Sequence, residues 1–299
     1  MIDPLKRVSV VTVTYNSAAV IESCLRSVAG AGEIIVVDNA SADDTAARIR
    51  SIAPQARIIA NTVNQGFGRA NNQGAALATG EFIFFLNPDS DVTPGSIASL
   101  VAAADAHREA VLLGPQILNR NGRVVISHDA DLPSRLAMGA ARDRFPAQLP
   151  EGECCVGFLS GAAIVARRTE LPTPPFDERI FLFFEDDDLC LRLRQADRAL
   201  LYVPGAVVRH LGGQASRPSL RLSWRKHWHM AWSRLYFERK HVGPIGLLGL
   251  RRSLLFLAKS LGYVVTGNFT KAWRDAARGT ASVAFLLGVE AISQTVLDA

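Results

Sequence analysis

Strand-like and helix-like segments alternate through the first hundred residues. VSVVTV (8–13), EIIVVD (33–38), RIIAN (57–61) and EFIFFL (81–86) are short and mostly apolar, the mark of buried strands. Between them lie SAAVIESCLRSVA, SADDTAARIRSI and GFGRANNQGAALATG, and TPGSIASLVAAADAH follows the fourth. These have helical spacing or composition; the second opens on a Ser/Asp cap, and the last carries proline near its first turn. Parallel strands cannot be joined by a tight hairpin and need a crossover, which a helix supplies. The pattern predicts βαβ units: an α/β fold with a mostly parallel central sheet flanked by helices.

In such sheets a ligand lies beyond the carboxyl ends of the strands. Polar residues fall at those ends: Thr14, Tyr15 and Asn16; Asp38, Asn39 and Ser41; Asn61 and Asn64; Asn87, Asp89 and Asp91. The first strand is followed by TYNSAA, which lacks the glycines of a dinucleotide-binding turn, and no GxxxxGK[ST] loop occurs. Phosphates then need another partner, and a carboxylate-held metal ion supplies one. Asp89 and Asp91 could take Mg2+ or Mn2+; the alternative is a solvated turn with Asp91 capping the next helix.

The net charge of +5 and pI near 9.3 suit an anionic partner: nucleic acid, a nucleotide or an acidic lipid surface. None of the four cysteines forms a CxxC pair, which argues against a zinc site and fits a reducing compartment. The N-terminus carries no secretory-signal pattern. After Pro150, CVGFLSGAAIVARR reads as a strand with a glycine bend, and LLYVPGAVVRHLGG as a strand followed by a loop. Between them FDERIFLFFEDDDLCLRLRQA passes from a strand-like apolar run through four acids into a helix. Clustered acids repel, which raises a carboxylate's pKa and suits a general base. The plainer reading is a charged helix N-terminus, but FLFF would set Glu185 and Asp186 at an inner edge. Arg192 stands one helical turn from Asp188, within pairing reach.

TYN, VDNAS, NQGFGRANNQG, LNPDS, SGA and FLFFEDDDLCLR, in this order over roughly Val8 to Gly213, resemble family 2 of the nucleotide-sugar glycosyltransferases. That family has the GT-A fold, and the bacterial rhamnosyltransferase-like subgroup is the nearest. The resemblance implies a nucleotide-binding half over about 1–115 and an acceptor half over about 116–213. Thr14, Tyr15, Asn16 and Asn39 would line the nucleotide pocket, with Asp38 accepting from the N–H of a uracil or thymine ring. Asn64, Gly66 and Asn71 would lie near the ribose or diphosphate, and Asn87 would also bind the nucleotide sugar. The family's Asp-x-Asp metal motif is here Asn87-Pro88-Asp89, so Asp89 would contact Mg2+ or Mn2+ and Asp91 would cap a helix. Some members use a histidine at the place of His210 as a further metal ligand. Asp186 matches the base that deprotonates the acceptor hydroxyl, beside Glu185 and supported by Asp188 and Arg192.

From Ser216 the chain turns rich in Arg, Trp and Leu, which sets a domain boundary near Gly213 and makes 214–299 a helical, amphipathic extension. Arg251, Arg252 and Lys259 interrupt its most apolar stretch, which suits a helix lying on a membrane rather than spanning it. Trp224, Trp228 and Trp232 fit either a membrane-interface belt or packing on the catalytic domain. His128, His227, His229 and His241 read as surface or interface residues. No nucleic-acid motif is present. The resemblance thus implies an inverting, metal-dependent transferase moving rhamnose from dTDP-rhamnose to a lipid-linked saccharide for cell-surface polysaccharide. The enzyme would be cytoplasmic, peripheral on the inner membrane face, and a possible homo-oligomer. The rivals are a transferase using another donor, such as a UDP-hexose, and a catalytically inactive sugar-nucleotide-binding scaffold.

Overall fold

The computed structural model of the chain describes residues 3–129, 149–212 and 219–291. Over these residues the chain forms two compact units: Met1–Asn64, Ala70–Phe176 and Asp186–Ser216 make one, and Gln65–Arg69, Asp177–Glu185 and Arg217–Ala299 the other. The boundary expected near Gly213 lies outside the described residues. The second unit also takes in two short stretches from earlier in the sequence.

The strands are β1 (Val8–Thr14), β2 (Glu33–Asp38), β3 (Arg57–Ala60), β4 (Phe82–Leu86), β5 (Ser90–Val92), β6 (Ala110–Leu118), β7 (Val124–Val125), β8 (His128–Asp129), β9 (Cys154–Cys155), β10 (Phe158–Leu159), β11 (Ala163–Arg167) and β12 (Ala199–His210). The helices are α1 (Ile21–Ser27), α2 (Thr45–Ile52), α3 (Phe67–Leu77), α4 (Ser96–Ala106), α5 (Glu185–Gln195), α6 (Leu220–His241), α7 (Gly246–Val265) and α8 (Phe269–Leu286).

The main sheet runs β3-β2-β1-β4-β11-β6-β12-β5, with β7 beside β6 and β9 beside β12. β3, β2, β1 and β4 are parallel, as the alternating pattern predicts. β11 runs antiparallel to both β4 and β6, and β5 antiparallel to β12, so the sheet is mixed. Two-residue periodicity divides its core. Phe82, Phe84 and Leu86 join Val8 and Val10 against α1, α2 and α4, while Ile83 and Phe85 join Val11 against Leu189, Cys190 and Leu193 of α5. β4 is thus buried on both faces, which explains a strand with no polar residue between Phe82 and Leu86.

β12 bulges between Val203 and Val207, where Pro204 can donate no ladder hydrogen bond. The bulge is pinned to the start of α4: Val207 N–H donates to Ser96 Oγ (2.8 Å), and both Thr93 Oγ1 and Ser96 Oγ donate to Val207 O (3.0 Å). Beyond it β12 pairs with β5, setting His210 opposite Ser90.

The helical unit has its own core, in which Ile180 and Phe181 pack with Trp228, Trp232, Leu235, Tyr236 and Phe285. Trp228 and Trp232 are therefore core residues and not an interface belt; the Trp232 indole N–H donates to Val289 O (2.9 Å). Trp224 packs at a tilt against Trp273. No described helix is long and apolar enough to cross a membrane. α7 still carries an uncovered apolar face, with Leu247, Leu250, Leu254, Leu261 and Val265 all exposed.

His229, expected at the surface or at an interface, is instead buried inside the helical unit. It is 2% exposed, stacked on Phe181 and set edge-on to Trp228. Burial, with the charge of Arg225 adding to it, pushes its imidazole down to about 3. An unfolded histidine titrates near 6.5. Above that pH the ring is neutral in both states and adds no pH dependence. As pH falls below about 6.5 the unfolded state takes up a proton that the fold refuses, and stability drops by up to about 1.4 kcal/mol per pH unit. The melting temperature should fall between pH 7 and pH 5, and fall less in His229→Phe, which keeps a ring and loses the titration. Equal slopes for the two proteins would remove His229 as the cause.

Candidate active site

At the carboxyl ends of β1 and β2, Thr14 stands beside Asp38 in register. Asp38 is buried, and its Oδ1 accepts from Thr14 Oγ1 (3.2 Å) and Ser41 N–H (3.3 Å). Both of these bonds fall on one oxygen. The loops after the two strands are cross-linked. Asn16 N–H donates to Ser41 Oγ (2.9 Å), and Asn16 Oδ1 accepts from Ala42 N–H (2.8 Å). Asn16 has φ 52°, a left-handed conformation that asparagine tolerates better than most residues. Asn39 donates to Asn64 Oδ1 (2.8 Å) and accepts from Asn61 (3.1 Å). Asn16, Asn39 and Asn64 therefore build the wall that holds Asp38, with Tyr15 on the same loop. Asn71 is buried on α3.

Gly66 belongs to the other unit. It has φ +87°, and a Cβ there would lie 2.5 Å from Phe181 O. Phe67 N–H donates to that same carbonyl (2.8 Å). Glycine is required there by backbone packing.

β4 ends in Asn87, whose N–H donates to Ala162 O (3.0 Å). Two residues on, Asp89 is buried and its Oδ1 lies 3.1 Å from His210 Nε2. Asn87 Nδ2 is 3.4 Å from the same ring nitrogen. Leu211 N–H donates to Asp89 O (3.0 Å), so the β5–β12 pairing fixes the distance between carboxylate and imidazole. Asn87 Oδ1 is buried without a hydrogen-bond partner. A carboxylate and an imidazole thus meet at one strand end, beside an asparagine whose amide oxygen is unsatisfied. That donor set suits Mg2+ or Mn2+. Among the described residues no three His, Cys, Asp or Glu side chains enclose an ion.

Asp91, read from the sequence as a helix cap, lies instead in β5, 3.9 Å from Arg209. α4 begins only at Ser96, where Thr93 Oγ1 meets Ser96 Oγ at 2.9 Å.

The run before the acids is not a strand. Phe183 and Phe184 have φ of 66° and 69°, and α5 starts at Glu185. Two consecutive left-handed residues cannot continue an extended ladder. The run is apolar because Ile180 and Phe181 are core residues of the helical unit. Glu185, Asp187 and Asp188 are 6%, 3% and 0% exposed, and Asp186 alone of the four stays partly open. Asp188 Oδ2 accepts from Arg192 Nε at 2.8 Å, and Arg192 also donates to Pro175 O. Asp186 Oδ2 accepts from Gly161 N–H at 2.9 Å.

Gly161 and Asn72 complete this framework and were not singled out from sequence. A Cβ at Gly161 would stand 3.2 Å from Asp186 Cβ and 3.3 Å from its Oδ2. Asn72 exchanges two 2.9 Å hydrogen bonds with the backbone of Phe176, next to the Pro175 carbonyl that holds Arg192. The SGA and NNQG segments were visible, but their partners lie 25 and 104 residues away. Gly161→Ala should push the Asp186 carboxylate aside by a few tenths of an ångström. Turnover should fall by up to about tenfold, since a 1 Å misplacement costs about 100-fold. Steady-state kinetics giving wild-type kcat would show that Asp186 needs no such placement.

Comparison with known proteins agrees with this architecture. The family model described as glycosyl transferase family 2 matches residues 9–162. The chain is 32% identical over 230 residues to the N-acetylglucosaminyl-diphospho-decaprenol L-rhamnosyltransferase of Mycobacterium tuberculosis, covering 67% of this chain and 75% of that one. It is 25% identical over 194 residues to the rhamnosyltransferase WbbL of Escherichia coli, covering 59% of this chain and 72% of that one. Among solved structures, residues 1–349 of S. aureus TarS align with a TM-score of 0.53 at 18% identity, covering 94% of this chain and 91% of that one. GalNAc-T7 with UDP, GalNAc and Mn2+ aligns with a TM-score of 0.54 at 19% identity, covering 81% and 52%. These last two share the fold. Polar residues at the carboxyl ends of a GT-A sheet, a family match over half the chain and relatives named rhamnosyltransferases converge on one conclusion: the chain is a glycosyltransferase and belongs to glycosyl transferase family 2.

Proposed function

We propose that the chain is an inverting, metal-dependent transferase that moves rhamnose from dTDP-rhamnose to a lipid-linked saccharide at the inner face of the cell membrane. One observation carries the reading. Asp186, the only acid of its run open to solvent, is held by Gly161, whose neighbour Ala162 holds Asn87 at the proposed metal site. A base and a diphosphate-binding edge thereby share one short turn. The mycobacterial relative, named for a decaprenol-linked acceptor, supports the lipid and the sugar.

In this reading Asp38 accepts from the N–H of the pyrimidine ring, and Asn16, Asn39 and Asn64 keep that pocket in shape. Asn87 Oδ1, Asp89 and His210 would hold Mg2+ or Mn2+, which when bound supplies positive charge against the leaving diphosphate. The acceptor hydroxyl oxygen attacks the anomeric carbon as the bond to the diphosphate oxygen breaks on the opposite side. Asp186 takes the hydroxyl proton during the attack. Hydrogen bonds from Gly161 N–H to Oδ2 and from Asp187 N–H to Oδ1 fix the orientation of the carboxylate. Asp188 and Arg192 fix the helix that carries it.

The test is nucleotide release from dTDP-rhamnose and from UDP-hexoses, with Mn2+ and with chelator. Release of dTDP that depends on metal is expected. Release of UDP alone would replace the donor, and release unaffected by chelator would remove the metal.

A further inference from the structure

In the helical unit, Arg179, Trp232, Tyr236, Arg239, Phe285 and Glu290 line a cavity of about 100 Å3. Its floor is aromatic. Trp232 stacks on Tyr236 and meets Phe285 edge-on, and the Tyr236 hydroxyl donates to Asp177 Oδ2 (2.9 Å). The Arg239 guanidinium lies 4.5 Å over the Phe285 ring. Neither Arg179 nor Arg239 enters an ion pair among the described residues, so two guanidiniums face one exposed carboxylate, Glu290. The cavity is roomy enough for a phosphate group.

The surroundings are apolar. α7 begins at this end of the unit: the position of a Cβ on Gly249 lies 3.1 Å from Leu286, and Arg252 pairs with Glu238, the chain neighbours of Phe285 and Arg239. Leu247, in the first turn of α7, is 84% exposed, and Leu287 is 76% exposed. α7 contains three basic residues and no acidic one. A protein partner would ordinarily meet such a face with carboxylates, but an anionic bilayer offers both hydrocarbon and negative charge.

We propose that this cavity binds the phosphate of an anionic membrane phospholipid, held by Arg179 and Arg239 while the exposed leucines of α7 enter the acyl layer. The proposal rests on the reading of the helical extension as membrane-facing and names its ligand.

The test is partition of full-length protein into vesicles of phosphatidylcholine, with and without phosphatidylglycerol. Wild type should bind the anionic vesicles. Arg179→Gln/Arg239→Gln should bind them about thirtyfold less tightly, at about fivefold for each arginine near the surface. Arg251→Gln/Lys259→Gln, which removes two charges outside the cavity, should lose less. Arg179→Gln alone keeps the stacked Arg239 and should lose about fivefold without a change in melting temperature. Equal losses in the two double variants would make the attraction generic and overturn the cavity, leaving the membrane-facing reading intact. A wild type that stays out of both kinds of vesicle would overturn both.

Discussion

Asp186→Asn should bind the donor as wild type does and transfer sugar about 10²–10⁴ times more slowly, the usual contribution of a positioned general base. The amide keeps the oxygen that accepts from Gly161 N–H, so the start of α5 keeps its place. The oxygen that becomes an amide nitrogen is the one that would take the proton, and with it goes the bond accepted from Asp187 N–H (3.1 Å). Isothermal titration of the donor beside steady-state kinetics separates the two effects, because removing a group that acts only in the transition state lowers kcat and kcat/KM alike. Turnover near the wild-type rate would assign the base elsewhere. The three neighbouring acids are poor replacements, since each is 6% exposed or less and Asp188 is engaged with Arg192.

The second large effect is expected at Asp89. Asp89→Ala removes the carboxylate 3.1 Å from His210 but keeps the backbone bond from Leu211 N–H that joins β5 to β12. The sheet should survive. Donor affinity in Mn2+ should fall about a hundredfold, the upper range for losing even an outer-shell partner of a metal site. It should then match wild type in chelator. Titration with and without Mn2+ reads this directly, and an unchanged metal response in the variant would place the ion elsewhere.

The parts of this site legible from sequence are those written in local periodicity. β1, β2 and β4 announce themselves because both faces of each are buried. The polar residues that follow them mark the carboxyl edge without further information. What sequence did not disclose depends on distant partners. β5 is three residues long and exists because β12 runs past it, more than a hundred residues away. The antiparallel course of β11 depends on where its chain enters the sheet, and its residues would look the same in either direction. FLFF is apolar enough for a strand, but two positive φ angles and a core position in the helical unit override propensity. Asn72 is one amide in a run of small and polar residues, and only contact with Phe176 distinguishes it.

Because Ile180 and Phe181 are core residues of the helical unit, the stretch leading into Asp186 and two of the C-terminal helices, α6 and α8, are parts of one solvent-excluded interior. A gene fusion made at the end of β12 would inherit one half of that interior from each parent. Chimaeras between family members should therefore express well only when residues 65–69 and 177–185 travel with the helices. Those helices cannot be exchanged as a cassette, and natural recombination at that junction should be rare for the same reason.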